Sequence, residues 1–160
     1  MAIAGRGAII IMSDSESNKL NLNKNCIKDY FYNGGLNCAE STIRLVDSLG
    51  KYEMPAELIK TMSGFGGGMQ RGLTCGAVAA GVALLGLYTG RTKPTESREP
   101  TVEAVKIYLE EFEKRFGSLI CEQLKADFRS KTDEMYDHCT QFVIGSAEIA
   151  AKILDEKLKK

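Results

Sequence analysis

The apolar residues between positions 102 and 116 recur at alternating intervals of three and four. This spacing is that of one buried face of an α-helix, and the opposite face here is rich in Glu and Lys. Gly117 is typical of a residue that ends such a helix. No segment alternates apolar and polar residues with the period of a strand, so we predict an all-α fold. The apolar positions are Val102, Val105, Leu109, Phe112 and Phe116, and the charged ones are Glu103, Lys106, Glu110, Glu113 and Lys114.

Capping residues and glycines delimit further predicted helices on both sides of this one. Asn37 stands three residues before Glu40, which is the spacing of a capping box with Asn as the cap. Pro55 suits the first turn of another helix. The predicted bounds are Asn25 to Gly34, Asn37 to Gly50, Pro55–Met62, Cys75–Tyr88 with Thr74 as its cap, Ser118–Lys125, and a last helix from Asp137 whose Phe142, Val143, Ala147, Ala150, Leu154 and Leu158 face the core.

The predicted helix Cys75–Tyr88 is unusual because small residues dominate it. Its three glycines, Gly76, Gly81 and Gly86, would each cost a helix about 1 kcal/mol relative to alanine. We therefore expect another backbone or a ligand to approach this helix very closely. Tight helix packing is the simpler of these two explanations.

Composition and charge narrow the class of protein. The 160 residues suit one domain, which we place at 24–160, with 1–23 as a flexible segment because Met12 is a plausible second start. Lys plus Arg and Asp plus Glu both number 21, which argues against binding to nucleic acid or to a membrane surface. The uncharged stretch Leu73–Gly90 is diluted by glycines, so we predict a buried helix rather than insertion into a membrane. We expect a cytoplasmic protein.

Five cysteines occur, none in a CxxC pair, and four of them fall at predicted helix starts. There, unpaired N–H groups and the helix dipole stabilise an anion, so we expect lowered thiol pKa values. Cys26 also falls near a predicted start, which weakens the pattern, and each cysteine by itself could be a small buried apolar residue. The four candidates are Cys38, Cys75, Cys121 and Cys139.

A glycine-rich loop, Ser63–Gly72, leads directly into Cys75. Met69 departs from the dinucleotide-binding glycine pattern, and no Gly-Lys-Ser/Thr follows to make a P-loop. The loop could still bind an anion at the following helix, or it could be a tight turn that needs positive φ. The candidate binding residues are Gly66, Gly67, Gly68, Arg71 and Gly76. The only histidine, His138, is expected to be exposed near a helix cap, although its position beside Cys139 leaves a ligand role conceivable.

The segment Gly64–Gly81, together with Asn37-Cys38-Ala39-Glu40 before it and Cys121 and Cys139 after it, resembles the redox-active family named for the pattern C_GCAxxG_C_C. The resemblance implies a small helical redox protein whose functional cysteines are the same four, with Cys26 outside the pattern. It would place a glycine at position 80, where this chain has Ala80 and the next glycine is Gly81.

Three chemistries and one structural alternative remain open at this point. In the first, Cys38, Cys75, Cys121 and Cys139 bind an iron–sulfur cluster, most simply [2Fe–2S], for electron transfer or sensing. In the second they form disulfides, and in the third they hold a structural zinc ion. The fourth is a helical interaction module with buried thiols. We expect a redox protein as partner, and the sequence leaves open a homodimer and the turnover of any small molecule.

Overall fold

The computed structural model describes residues 26–128 and 133–158, and its regular structure in these ranges is helical, which confirms the all-α prediction. The predicted flexible segment 1–23 and the Asn25 cap lie outside the described residues. No helix in the described ranges is long and apolar enough to cross a membrane. The α-helices are α1 (Cys38–Asp47), α2 (Ala56–Met62), α3 (Gly76–Thr89), α4 (Glu99–Phe116), α5 (Cys121–Leu124) and α6 (Asp133–Leu158), with shorter helical turns at Lys28–Asn33, Ser63–Phe65 and Gly68–Gly72.

The small-residue helix α3 lies at the centre and packs against α1, α4 and α6. The expected close approach is confirmed at two of its glycines. A Cβ on Gly76 would lie 2.6 Å from both the Cys38 sulfur and the Phe65 carbonyl oxygen, and one on Gly81 would overlap the phenol of Tyr108. Nothing lies within 4 Å of such an atom on Gly86, so that glycine has no packing role. The two glycines therefore leave room for side chains and for the Phe65 carbonyl, rather than for the backbone of a neighbouring α-helix.

The buried face of α4 differs from the one that the apolar spacing predicts. Ala104, Tyr108 and Phe112 are fully buried, whereas the other predicted apolar positions are only half-buried. The predicted face contains Leu109 and omits its neighbour Tyr108, whose hydroxyl finds hydrogen-bond partners inside the core. The predicted charged face is exposed, and Gly117 ends the helix at a φ of 84°, as expected.

The predicted helix starts near Cys75, Cys121 and Cys139 are wrong. Helix α6 begins at Asp133 rather than Asp137, so Cys139 lies beyond its first turn. Helix α3 begins after Cys75, which is itself the N-cap, while Thr74 pairs in an extended conformation with Ile120. Helix α5 has only four residues, and its N-cap is Ile120 rather than Ser118. At the far end of α6, Leu158 is 47% exposed because the helix runs past the core.

Candidate functional site

The four cysteines of the predicted set line one cavity of about 230 Å³. Cys38 is the first residue of α1, Cys75 precedes α3, Cys121 opens α5, and Cys139 lies within α6. Cys26 is absent from the lining. The structure therefore brings together residues that lie as far as 101 positions apart in the chain.

Asn37 fixes the position of Cys38. Its side-chain oxygen accepts hydrogen bonds from the N–H groups of Ala39 (2.8 Å) and Glu40 (3.0 Å), and its own N–H donates to the Glu40 carboxylate (2.9 Å). The predicted capping box is confirmed. The Asn37 amide nitrogen also donates to the carbonyls of Met62 (3.3 Å) and Ser63 (3.1 Å), which ties the start of α1 to the glycine-rich loop.

A short extended contact brings Cys75 and Cys121 side by side. The Cys75 N–H donates to the Leu119 carbonyl at 2.8 Å, and the Cys121 N–H donates to the Leu73 carbonyl at 2.6 Å. These bonds flank the bridge between Thr74 and Ile120. Sequence reasoning missed this contact because a single bridge leaves no periodic pattern along the chain.

The glycine-rich loop contains a turn with positive φ, as predicted by one of the two interpretations of its sequence. Two non-glycine residues share this conformation, Met69 and Gln70, and Gln70 lines the cavity. Such conformations cost about 1–2 kcal/mol for each ordinary residue, and strain of this kind is concentrated at functional sites. The consecutive φ values are 58° at Gly67, 62° at Gly68, 57° at Met69 and 59° at Gln70.

Close packing explains why glycine is needed at two of the candidate loop positions. A Cβ on Gly66 would lie 2.7 Å from the Asn37 Cβ, and one on Gly68 would lie 2.7 Å from the Cys121 Cβ. Gly66 and Gly67 line the cavity, whereas Arg71 is exposed and lies outside the lining. The cation in the lining is Lys125, which sequence reasoning had treated only as the end of a short helix.

Burial raises the pKa of the Cys75 and Cys139 thiols to about 12, and it also raises the pKa of Cys121. The charge of Cys38 raises all three further, in agreement with the cavity that the four cysteines share. The predicted lowering of thiol pKa at helix starts is therefore wrong for these three cysteines, because desolvation outweighs the helix terminus.

Nearby N–H groups and one cation lower these pKa values, but by less than burial raises them. No hydrogen bond of capping geometry joins the Cys75 side chain to α3, yet the N–H groups of Val78 and Ala77 lie near enough to lower its pKa. The ammonium of Lys125 lowers the pKa of Cys121 and Cys139. The site thus holds protonated thiols in a cavity that already contains groups able to stabilise thiolates.

His138 has a structural role rather than the predicted exposed position. Because a carbonyl oxygen can only accept, the His138 Nε2–H donates to Leu124 at 2.8 Å, and the Gln141 amide donates to Nδ1 at 3.2 Å. Its ring packs between Phe128 and Phe142, with centroid distances of 4.6 and 5.1 Å. Both nitrogens are occupied, and the residue holds α5 against α6 beside Cys139.

The raised thiol pKa values predict a loss of stability in alkali. A thiol with a pKa near 9 in the unfolded chain and about 12 in the folded protein stabilises the fold fully below pH 9. That contribution is lost as the pH rises toward 12, by up to about 1.4 kcal/mol per pH unit for each proton. Urea unfolding at several pH values should show this decline. The slope should be shallower in Cys75→Ala, and an unchanged slope in that variant would contradict the raised pKa.

In residues 26–128 and 133–158, no group of three or more His, Cys, Asp or Glu side chains is arranged to hold a metal ion. A family model described as "Putative redox-active protein (C_GCAxxG_C_C)" matches residues 36–153, which is most of the chain and contains all four cavity cysteines. Searches of curated proteins and of solved structures gave no significant match.

Proposed function

Because the chain belongs to the C_GCAxxG_C_C family of redox-active proteins, we propose that its four cavity cysteines form one redox centre that binds an iron–sulfur cluster. The observation that carries the proposal is that Cys38, Cys75, Cys121 and Cys139 line the same cavity, while Cys26 does not. Four Cys thiolates are the ligand set of both [2Fe–2S] and [4Fe–4S] clusters, and [2Fe–2S] is the smaller of the two.

The cavity that the four cysteines line has room for a cluster. Zinc needs four ligands about 2.3 Å from one point, and the described residues contain no group of three or more arranged to hold a metal ion. A cluster is wider, and the cavity of about 230 Å³ lies between the four side chains that would hold it. When bound, a cluster would supply reversible one-electron transfer.

The chain's own residues prepare the cavity for negatively charged ligands. Phe31, Met135 and Phe142 line it with apolar surface that excludes water. Lys125 and the N–H groups at the start of α3 stabilise thiolates there. Because the thiols of Cys75 and Cys139 hold their protons up to about pH 12, loading must release protons and becomes more favourable as the pH rises.

The test is metal analysis of anaerobically purified protein. We expect iron and acid-labile sulfide in equal amounts, with visible absorbance that Cys75→Ser abolishes. The matched control is Cys26→Ser, which should keep both iron and colour because Cys26 lies outside the cavity. Colourless, iron-free protein after anaerobic reconstitution, or stoichiometric zinc in place of iron, would contradict the cluster.

The mutual proximity of the thiols favours a second candidate, thiol–disulfide exchange. Cys38 lines one cavity with the other three cysteines, so a partner disulfide could be reduced as one disulfide forms here and two electrons and two protons pass to the partner. The three possible pairings of the four cysteines remain open. Thiol counting in a glutathione redox buffer tests this candidate. Loss of two thiols in the wild type but not in Cys38→Ser would support it, and five free thiols at every potential would exclude it.

A further inference from the structure

A cation and an amide line the cavity where it opens to solvent. Lys125 follows α5 directly, and its N–H donates to the Cys121 carbonyl at 3.1 Å, so it lies beside this cysteine. The lysine is half-buried and lines the cavity. Gln70 belongs to the glycine-rich loop, is exposed and lines the same cavity. The wall of the cavity therefore carries a positive charge and an amide close to its opening.

Packing fixes the loop that carries Gln70 against α5. A Cβ on Gly68 would lie 2.7 Å from the Cys121 Cβ, and one on Gly72 would lie 3.0 Å from the Glu122 Cβ. Gln70 stands between these two glycines in the chain. Its side chain therefore extends from a loop that is held at both ends against the helix before Lys125.

Neither polar side chain has a partner within the part of the chain that the structure describes. No carboxylate there forms a salt bridge with Lys125, and no hydrogen bond holds the Gln70 carboxamide. The Gln70 Oε1 lies 3.6 Å from the position of a Cβ on Gly67, which is itself in the cavity wall. Asn37, the other amide in the lining, differs because its side chain is engaged in the capping box and with two loop carbonyls. Lys125 and Gln70 are thus available to a ligand.

The backbone conformation of Gln70 indicates that its side chain is used. The glycine-rich loop has positive φ at five positions, and glycine, which adopts such angles without steric cost, occupies three of them. Gln70 has a φ of 59°, so the turn alone would form more easily with glycine at this position. Strain of this kind is concentrated at functional sites. Met69 has a similar φ of 57° but does not line the cavity, so it provides a matched comparison.

We propose that Lys125 and Gln70 form a subsite that binds the carboxylate of a small organic molecule at the opening of the four-cysteine cavity. The ammonium supplies one positive charge and the amide supplies N–H donors, which match the single charge and two oxygens of a carboxylate. A phosphate group carries up to two charges, which one lysine would leave partly unpaired.

The rest of the lining suits such a molecule. Among the described residues the lining contains no Asp or Glu that would repel an anion, and Phe31, Leu36 and Phe142 offer apolar surface to the remainder of the ligand. The proposal rests on the proposed function only in treating the four thiols as the groups that the bound molecule reaches.

The test compares two alkylating reagents of similar size on metal-free, reduced protein. Iodoacetate carries a carboxylate and iodoacetamide a neutral amide, and both react with the thiolate. The ratio of their rates at Cys139, read by peptide mass spectrometry, therefore does not depend on the thiolate fraction. Cys26 lies outside the cavity and gives a reference ratio in the same sample. Relative to Cys26, we expect the Cys139 ratio to fall about fivefold in Lys125→Gln and about threefold in Gln70→Gly.

Met69→Gly and Arg71→Gln are the matched controls. The first relieves the same kind of strain, and the second removes an exposed cation next to Gln70, but neither residue lines the cavity. Both variants should keep the wild-type ratio. An unchanged ratio in Lys125→Gln, or a fall of the same size in Arg71→Gln, would overturn the proposal.

Unreactive probes distinguish a binding site from a general attraction of anions. At constant ionic strength, acetate should slow the reaction of Cys139 with iodoacetamide in a saturable way, whereas acetamide should not. Acetate should give no such protection in Lys125→Gln. Absence of protection in the wild type would also overturn the proposal. A protein that binds no iron would contradict the cluster but would leave these results unaffected.

Discussion

Gly76→Ala is expected to lower the free energy of unfolding by about 3 kcal/mol. The new methyl group would lie 2.6 Å from both the Cys38 sulfur and the Phe65 carbonyl oxygen. The sulfur can rotate away, but the carbonyl is backbone, so α3 or the glycine-rich loop must move. Overpacking of this kind costs about 1–3 kcal/mol, and a backbone contact lies at the upper end of that range. Urea unfolding at neutral pH measures the loss.

Gly86→Ala is the matched control for this prediction. The two glycines belong to the same helix, but nothing lies within 4 Å of a Cβ on Gly86. Alanine favours a helix interior over glycine by about 1 kcal/mol, so this variant should be as stable as the wild type or more stable. Equal stability of Gly76→Ala and the wild type would show that the start of α3 and Cys38 are not packed as described.

Gly76→Ala should also disrupt the cavity that the four cysteines share. Cys38 lines the cavity together with the other three cysteines, and its sulfur is the group that the methyl group would displace. We expect Gly76→Ala to retain little iron even where it still folds, whereas Gly86→Ala should retain the wild-type content. Full iron content in Gly76→Ala would indicate that Cys38 is not a ligand.

Phe142→Ala is expected to cost about 3–5 kcal/mol, the usual loss for a buried phenylalanine. Its side chain is 5% exposed and packs against the rings of Phe112 (6.5 Å), Phe116 (5.2 Å) and His138 (5.1 Å). It also forms part of the cavity wall near Cys139. Removing the ring takes packing from the core and opens the thiols to water at the same time. Thermal or urea unfolding measures the first effect.

The second effect is chemical, and it is measured as the rate at which Cys139 is alkylated. Burial is the main reason that the pKa of Cys139 is raised to about 12, so water entering through the gap should lower it. Alkylation of Cys139 should therefore quicken in Phe142→Ala. Phe128→Ala is the control, because Phe128 also packs against the His138 ring but does not line the cavity. A Cys139 rate that is equal in the two variants would show that Phe142 does not shield the thiol.

Features confined to one stretch of chain could be predicted well from the sequence. The capping box at Asn37 and Glu40, the charged face of α4 and its end at Gly117 all follow from residues within one or two turns of each other. The four cysteines could also be selected from five, because the resemblance rests on spacing and neighbouring residues. The match over residues 36–153 agrees with that choice.

The errors occurred where a distant contact outweighed a local preference. Thr74 is of a residue type common at helix caps but pairs with Ile120. Tyr108 is absent from the predicted apolar face of α4, but its hydroxyl reaches the Ala77 carbonyl in the core. Lys125, rather than Arg71, is the cation at the cavity, and only the packing of α5 and α6 could decide between them. None of these partners lies within one helical turn of the residue concerned.

The sequence by itself determined that the protein is helical, that α3 must accept close neighbours, and which four cysteines belong together. The first two properties depend on periodicity, on residue size and on local capping, all of which act along the chain, and the choice of the four cysteines is what the family resemblance implies. Only the tertiary structure decided that the four thiols share one cavity and that burial keeps three of them protonated. Desolvation depends on everything packed around a group, whereas a helix start contributes only its own few N–H groups, and so the fold determines the pKa of these thiols.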